Sequence, residues 1–165
     1  LSKQFAERTI QREYNAIVWG VFENSTGEID APLARHRSDR KKMAIDEEGK
    51  HAVTRYEVLE EFTYHSFMKL SLLTGRTHQI RVHLAHIRHP VFGDPTYGGR
   101  RILYGTVTQN YKQFVHNLLI MLPRQALHAR TLGFRHPTTR NEIFLESALP
   151  QDMVEAREKL RRYDR

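Results

Sequence analysis

Four side chains able to hold an anion or the edge of a base, Arg76, His78, Gln79 and Arg81, stand within six positions directly after a Thr74-Gly75 turn. The string reads Leu73-Thr74-Gly75-Arg76-Thr77-His78-Gln79-Ile80-Arg81-Val82-His83, and a second dense signal follows at Gly93-Asp94-Pro95-Thr96-Tyr97-Gly98. A helix that only fills space has no need of such polar density. At ~100° per residue on a helix capped by Thr77, the residues Ile80, Leu84 and Ile87 share a narrow apolar stripe. Arg81 and Arg88 lie side by side at one edge of that stripe, and His78, Gln79, His83, His86 and His89 occupy the opposite sector. Arg81 is thus expected between packed and open surface, one turn from the helix N-terminus. A partly desolvated guanidinium there requires a carboxylate or phosphate partner, and the helix N-terminus itself favours an anion. The combination suits a pocket that holds an acidic catalytic group against a nucleic-acid substrate.

Other chemistries fit less well. His78, His83, His86 and His89 are metal-ligand types, yet His78 and His83 fall ~140° apart on a helix. No acidic residue lies between His78 and His89, and the spacing matches no zinc pattern, so no metal is expected. The chain has no cysteine, which excludes disulfides, cysteine nucleophiles and zinc knuckles and fits a reducing compartment. Neither a Gly-rich phosphate loop nor a nucleophile elbow is present.

The elements that must position these residues are legible as alternation and period. Residues 13–19 alternate as a strand ending at Gly20, with Tyr14, Ala16 and Val18 on one face. Residues 28–33 read as a short strand with Pro32 near an edge. Residues 34–51 are polar, charged and without period, and are expected to form a long surface loop. Two strand-like runs, 52–59 and 66–73, read as an antiparallel hairpin, and 127–134 with 142–147 as another around His136-Pro137-Thr138-Thr139. His89-Pro90 ends the helix that carries Arg81. Residues 107–122 form a further helix, and 151–165 a charged, mostly exposed one. Hairpins outnumber strand–helix alternations, so the fold class is α+β: a mixed, largely antiparallel sheet with flanking helices.

With 165 residues the chain suits one compact domain. Its 26 Lys and Arg against 19 Asp and Glu give a net charge of +7, pointing to a polyanionic partner. The basic residues gather at Arg35, Arg37, Arg40, Lys41 and Lys42, and again around the central string. Arginine's planar fork suits phosphate and base edges. No apolar run approaches the ~20 residues that span a bilayer, and no amphipathic stretch reads as an interfacial anchor. Nucleic acid is therefore the expected partner, and membrane is not.

At this point the strings themselves carry a resemblance. Thr74-Gly75-Arg76-Thr77-His78-Gln79-Ile80-Arg81-Val82-His83-Leu84-Ala85-His86, then His89-Pro90 and Gly93-Asp94-Pro95-Thr96-Tyr97-Gly98, resemble the RluA-type RNA pseudouridine synthases, which modify ribosomal and transfer RNA. Residues 11–20, from Gln11 to Gly20, resemble that family's tyrosine-bearing strand. Lys50-His51-Ala52-Val53-Thr54-Arg55-Tyr56 resembles its Gly-Lys-x-Ala-x-Thr-x-Tyr strand, and Leu127-His128-Ala129 with Phe134-x-His136-Pro137 its C-terminal hairpin. The resemblance implies the pseudouridine synthase fold and a cofactor-free isomerase. An aspartate attacks the target uridine, the glycosidic bond breaks, and the rotated uracil is rejoined through carbon 5. By position, Tyr14 resembles the tyrosine that stacks on the flipped base and helps with proton chemistry. Arg81 resembles the arginine that pairs with the catalytic aspartate, and Ile80 the apolar residue packed near the base. Arg76, His78, Gln79 and Ile80 are the expected substrate-binding residues. RNA is the implied partner, large-subunit ribosomal RNA in particular, for a cytoplasmic monomer acting in rRNA modification and processing.

One family feature is missing. The nucleophile belongs to a His-Arg-Leu-Asp stretch upstream of the tyrosine strand, and no such stretch occurs here. Asp30, Asp39, Asp46, Asp94 and Asp152 stand in other contexts. The expectation is a C-terminal portion of a catalytic domain, silent by itself, with Arg81 built for a carboxylate the chain lacks. Two competing readings are an RNA-binding module that uses the fold without chemistry, and a basic nucleic-acid enzyme with metal on its histidines.

Overall fold

The computed structural model describes residues 1–7 and 9–164; Arg165, the last residue of the expected tail helix, lies outside them. The elements run α1 (Ser2–Ala6), β1 (Gln11–Trp19), β2 (Thr26–Asp30), β3 (Leu33–Arg35), β4 (Met43–Ile45), β5 (Val53–Glu61), β6 (His65–Leu72), α2 (Gln79–His86), α3 (Gln109–Met121), β7 (Leu127–Arg135), β8 (Glu142–Glu146) and α4 (Gln151–Tyr163). Six strands build one sheet in the order β2-β5-β6-β1-β7-β8, and every neighbouring pair is antiparallel. The α+β class with a largely antiparallel sheet and flanking helices is what the hairpin-rich sequence required.

Strand β1 is central, between β6 and β7, and is covered on both faces. Its residues Ala16, Ile17, Val18 and Trp19 are each no more than 1% exposed. Tyr14 lies opposite Leu70 of β6, and Leu70 lies opposite Tyr56 of β5. Because strand side chains alternate, Tyr14, Leu70, Tyr56 and, one row on, Leu72 and Thr54 share one face of the sheet. Helix α2 is fastened over that face. The Thr54 hydroxyl bonds to Gln79 Nε2 at 3.0 Å and to His83 Nδ1 at 2.9 Å, both on α2.

Two elements differ from expectation. The stretch 34–51 is organised rather than loose: β3 and β4 pair as Leu33↔Ile45, Ala34↔Ala44 and Arg35↔Met43. Three-residue strands of mixed polarity leave no readable period, yet Leu33, Ala52 and Val82 form a small core there, with Met43, Ile45 and Tyr97 against it. Helix α4, expected mostly exposed, buries Met153, Ala156 and Leu160. These recur at helical spacing and join the same core as Tyr111, Val115 and Leu118 of α3. Helix α3 starts where Thr108 accepts a hydrogen bond from the Tyr111 N–H, a side-chain N-cap.

Candidate active site

Helix α2 begins one residue later than the sequence suggests. Its N-cap is His78 rather than Thr77, in the left-handed region at φ 56°, and no side chain caps it. That conformation is uncommon outside glycine, and other contacts hold it here. His78 Nδ1 lies 2.7 Å from the Tyr97 hydroxyl, which also accepts the Met43 backbone N–H at 3.0 Å. Tyr97 thereby joins three pieces: the start of α2, strand β4, and the loop from Gly93 to Gly98.

Gln79 and His83, expected in the open sector of the helix, point into the fold. Gln79 is 2% exposed and makes four hydrogen bonds. Its Nε2 donates to Val53 O and Thr54 Oγ1, and its Oε1 accepts from Thr74 Oγ1 at 2.8 Å and from the Arg76 N–H at 3.0 Å. His83 is wholly buried, with Nε2 2.9 Å from Ala31 O. A carbonyl only accepts, so Nε2 carries the proton and Nδ1 accepts from Thr54. Burial lowers the pKa of His83, and the Ala31 bond partly opposes that. Helical geometry cannot reveal that β5 and Ala31 cover this side with hydrogen-bond partners.

Arg81 forms the centre of the arrangement. Its Nε donates to Asp94 Oδ2 at 2.7 Å and its Nη2 to Asp94 Oδ1 at 2.8 Å. The Arg81 side chain is 11% exposed and that of Asp94 fully buried. Asp94 Oδ1 accepts two further bonds, from the backbone N–H groups of Thr96 and Tyr97. Burial alone would push the Asp94 carboxyl up, but the Arg81 fork and these two N–H groups outweigh it and hold it below the usual carboxylate range. The same bond to Asp94 raises the pKa of Arg81. The Tyr97 ring lies 4.9 Å from the guanidinium carbon. Arg81 therefore has a carboxylate partner inside the chain, whereas the sequence motifs point to a partner outside it. Among the described residues its Nη1 has no hydrogen-bond partner.

The loop that delivers Asp94 is tightly specified. Gly93 and Gly98 have φ of 77° and 86°, and a Cβ at Gly99 would stand 1.8 Å from Val91 O. The buried Trp19 indole donates to Gly99 O at 2.7 Å, so the central strand holds the loop. That need explains the glycine-dense string, whose role as Arg81's anchor the sequence did not disclose.

The remaining expected residues fall around this core. Ile80 is 4% exposed and packs with Leu84 in the main core. Arg76 is partly exposed, its Nε donating to His51 O at 3.1 Å. Tyr14 is half-buried on the face over which α2 is fastened, but lies outside the Arg81–Asp94–Tyr97 contact set. Burial lowers the pKa of His78, with the neighbouring charge of Arg81 second. Arg12, two residues before Tyr14, brings its guanidinium against Gly75, where a Cβ would stand 2.5 Å from its Nη1; only the turn glycine hinted at it. Arg35, Arg37, Arg40 and Lys41 are exposed on the β3–β4 hairpin, beside the site through Met43 and Tyr97. Among the described residues no cluster of three or more His, Asp or Glu could hold a metal ion, and no helix is long and apolar enough to cross a membrane.

Comparison with known proteins agrees with this architecture. Residues 1–86 match the family model described as RNA pseudouridylate synthase. An uncharacterized RNA pseudouridine synthase of Chlorobaculum parvum is 46% identical over 165 residues, covering 98% of this chain and 50% of that protein. The ribosomal large subunit pseudouridine synthase D of Pseudomonas aeruginosa is 47% identical, covering 93% of this chain and 47% of that protein. The solved structure of human RNA pseudouridylate synthase domain containing 4 superposes with a TM-score of 0.73 at 27% identity, covering 97% of this chain and 66% of that one. The chain spans about half the length of the curated relatives it matches. On these matches and this fold, the chain belongs to the RNA pseudouridylate synthase family.

Proposed function

We propose that this chain supplies the Arg81 and Tyr14 side of the active site of an RNA pseudouridine synthase, and that an aspartate outside the chain supplies the nucleophile. The observation that carries the reading is Arg81 itself: a guanidinium locked along one edge, with its Nη1 unpartnered among the described residues and its side chain 11% exposed. A nucleophilic carboxylate needs such a cation to keep it ionised and aimed. In the reaction, the carboxylate bonds to the uridine, the bond from ribose to uracil nitrogen breaks, and the free uracil rotates. A bond from ribose to carbon 5 forms, the bond to the carboxylate breaks and frees it, and the proton on carbon 5 leaves while the freed uracil nitrogen takes one up. Tyr14 offers the extruded base an aromatic face and takes part in that proton transfer.

His78 and Arg76 meet the RNA in this reading. Gln79 and Ile80 act from beneath, fixing the helix that aims Arg81. The basic β3–β4 hairpin takes phosphates. The names of the relatives from P. aeruginosa and Escherichia coli, ribosomal large subunit pseudouridine synthase D, support large-subunit ribosomal RNA as the substrate class. A monomer working in the cytoplasm without cofactor fits that role.

Tritium release from RNA labelled at carbon 5 of uridine tests the reading in the full-length protein. Arg81→Ala is expected to lose turnover by ~10²-fold or more while still binding RNA. Turnover at the wild-type rate in that variant would refute it.

A further inference from the structure

Asp94 has no part in the chemistry just described, yet it is the group Arg81 touches. It is fully buried and receives four hydrogen bonds, two from Arg81 and two from backbone N–H groups. A buried ion pair is weak evidence for stability, because well-packed apolar residues often serve as well. What it supplies is direction. Guanidinium offers five N–H donors in one plane, and Asp94 engages the Nε–Nη2 edge of it. The Tyr97 ring, 4.9 Å from the guanidinium carbon, lies against Arg81, and the Tyr97 hydroxyl is itself fixed by Met43 and His78. The Nη1 side is thereby left to face outward.

We infer that Asp94 is a positioning residue for catalysis: it fixes the plane of Arg81 so that the outer edge meets the nucleophilic carboxylate, one guanidinium bridging two carboxylates. The inference rests on the role proposed for Arg81. It carries an electrostatic consequence. Asp94 offsets part of the Arg81 charge, so the nucleophile is held ionised by the outer edge yet keeps more basicity than it would beside a bare cation. The other titratable or charged groups around the pair are His78 at the start of α2, Tyr97 on the Asp94 loop, and Arg35 on the hairpin, whose charge acts on His78.

The test is a pH profile of kcat and KM in the full-length protein. Asp94→Asn keeps the shape and one acceptor for Arg81 but removes the charge. Expected are a fall in kcat of ~10²-fold from lost aim, KM for RNA unchanged, and an acid limb moved to lower pH, because the full Arg81 charge now stabilises the ionised nucleophile. A purely structural role would lower the amount of folded enzyme without moving that limb. An unshifted limb, or a kcat within about threefold of wild type, overturns the inference. Should Asp94→Asn fail to fold, Arg81→Lys decides: a single ammonium cannot present two edges. It is expected to be as impaired as Arg81→Ala, and retention of more than about a tenth of wild-type kcat overturns the bridge. An inactive Arg81→Ala beside a wild-type-like Asp94→Asn would sink this inference alone, whereas an active Arg81→Ala would sink the proposed function.

Discussion

Two of this protein's arginine–carboxylate clusters are built on opposite principles. At the end of β5, Glu60 takes both Arg157 and Arg161 of α4, with Nη2 contacts of 2.7 and 2.8 Å. Its partners are 25% and 44% exposed, and Arg157 also lies over the Phe67 ring at 3.8 Å. One carboxylate there is shared by two arginines, and water reaches all three. At the Arg81 site the buried carboxylate serves one arginine, whose far edge is unshared among the described residues. The first arrangement docks a helix. The second leaves donors over, which is what a site needs and a clamp does not.

Cutting each carboxylate should expose that difference. Asp94→Ala strands a buried guanidinium and is expected to cost about 3–5 kcal/mol in urea unfolding. A cost near that of a surface pair would mean Arg81 finds water or another partner, and the site is looser than it looks.

Acid should unfold the protein through a third group before either cluster is protonated. His65 is 2% exposed with its ring tilted against Trp19 at 4.3 Å between centroids, and burial pushes its pKa from 6.5 to about 3. The unfolded chain therefore binds a proton there that the folded one refuses. Stability from this residue is complete above pH ~6.5 and lost as pH falls toward 3, on the order of 5 kcal/mol in all. The Asp94 carboxyl, held low, adds its own loss only below the usual carboxylate range. Unfolding free energies measured from pH 7.5 to 4 check the sign; stability rising on acidification in that window would contradict it.

Glu60→Gln is expected to cost about 1 kcal/mol or less, because its arginines stay solvated. A loss as large as that of Asp94→Ala would erase the distinction between the two clusters.

Much of this was legible beforehand, for reasons that also explain the rest. The hairpin around 60–65 and helix α3 follow from period and turn chemistry, which act locally. The position of Arg81 at the border of packed and open surface follows from helical spacing. Its partner did not: Asp94 reaches it only through a glycine-shaped loop pinned by Trp19, a contact that no local pattern encodes. The same holds for Gln79 and His83, whose polarity suggested openness while Thr54 and Ala31 stood ready to satisfy them inside. The β3–β4 hairpin hid because three-residue strands are too short to show alternation.

The claim on which all of this turns is that Asp94 locks one edge of Arg81. Nitrogen-15 NMR of the arginine side chains reads it directly. The expected result is a protected Nε–H and two resolved Nη signals for Arg81, slow to rotate and collapsing in Asp94→Asn. A single averaged Nη signal in the wild type, as expected for the exposed Arg101, would contradict it.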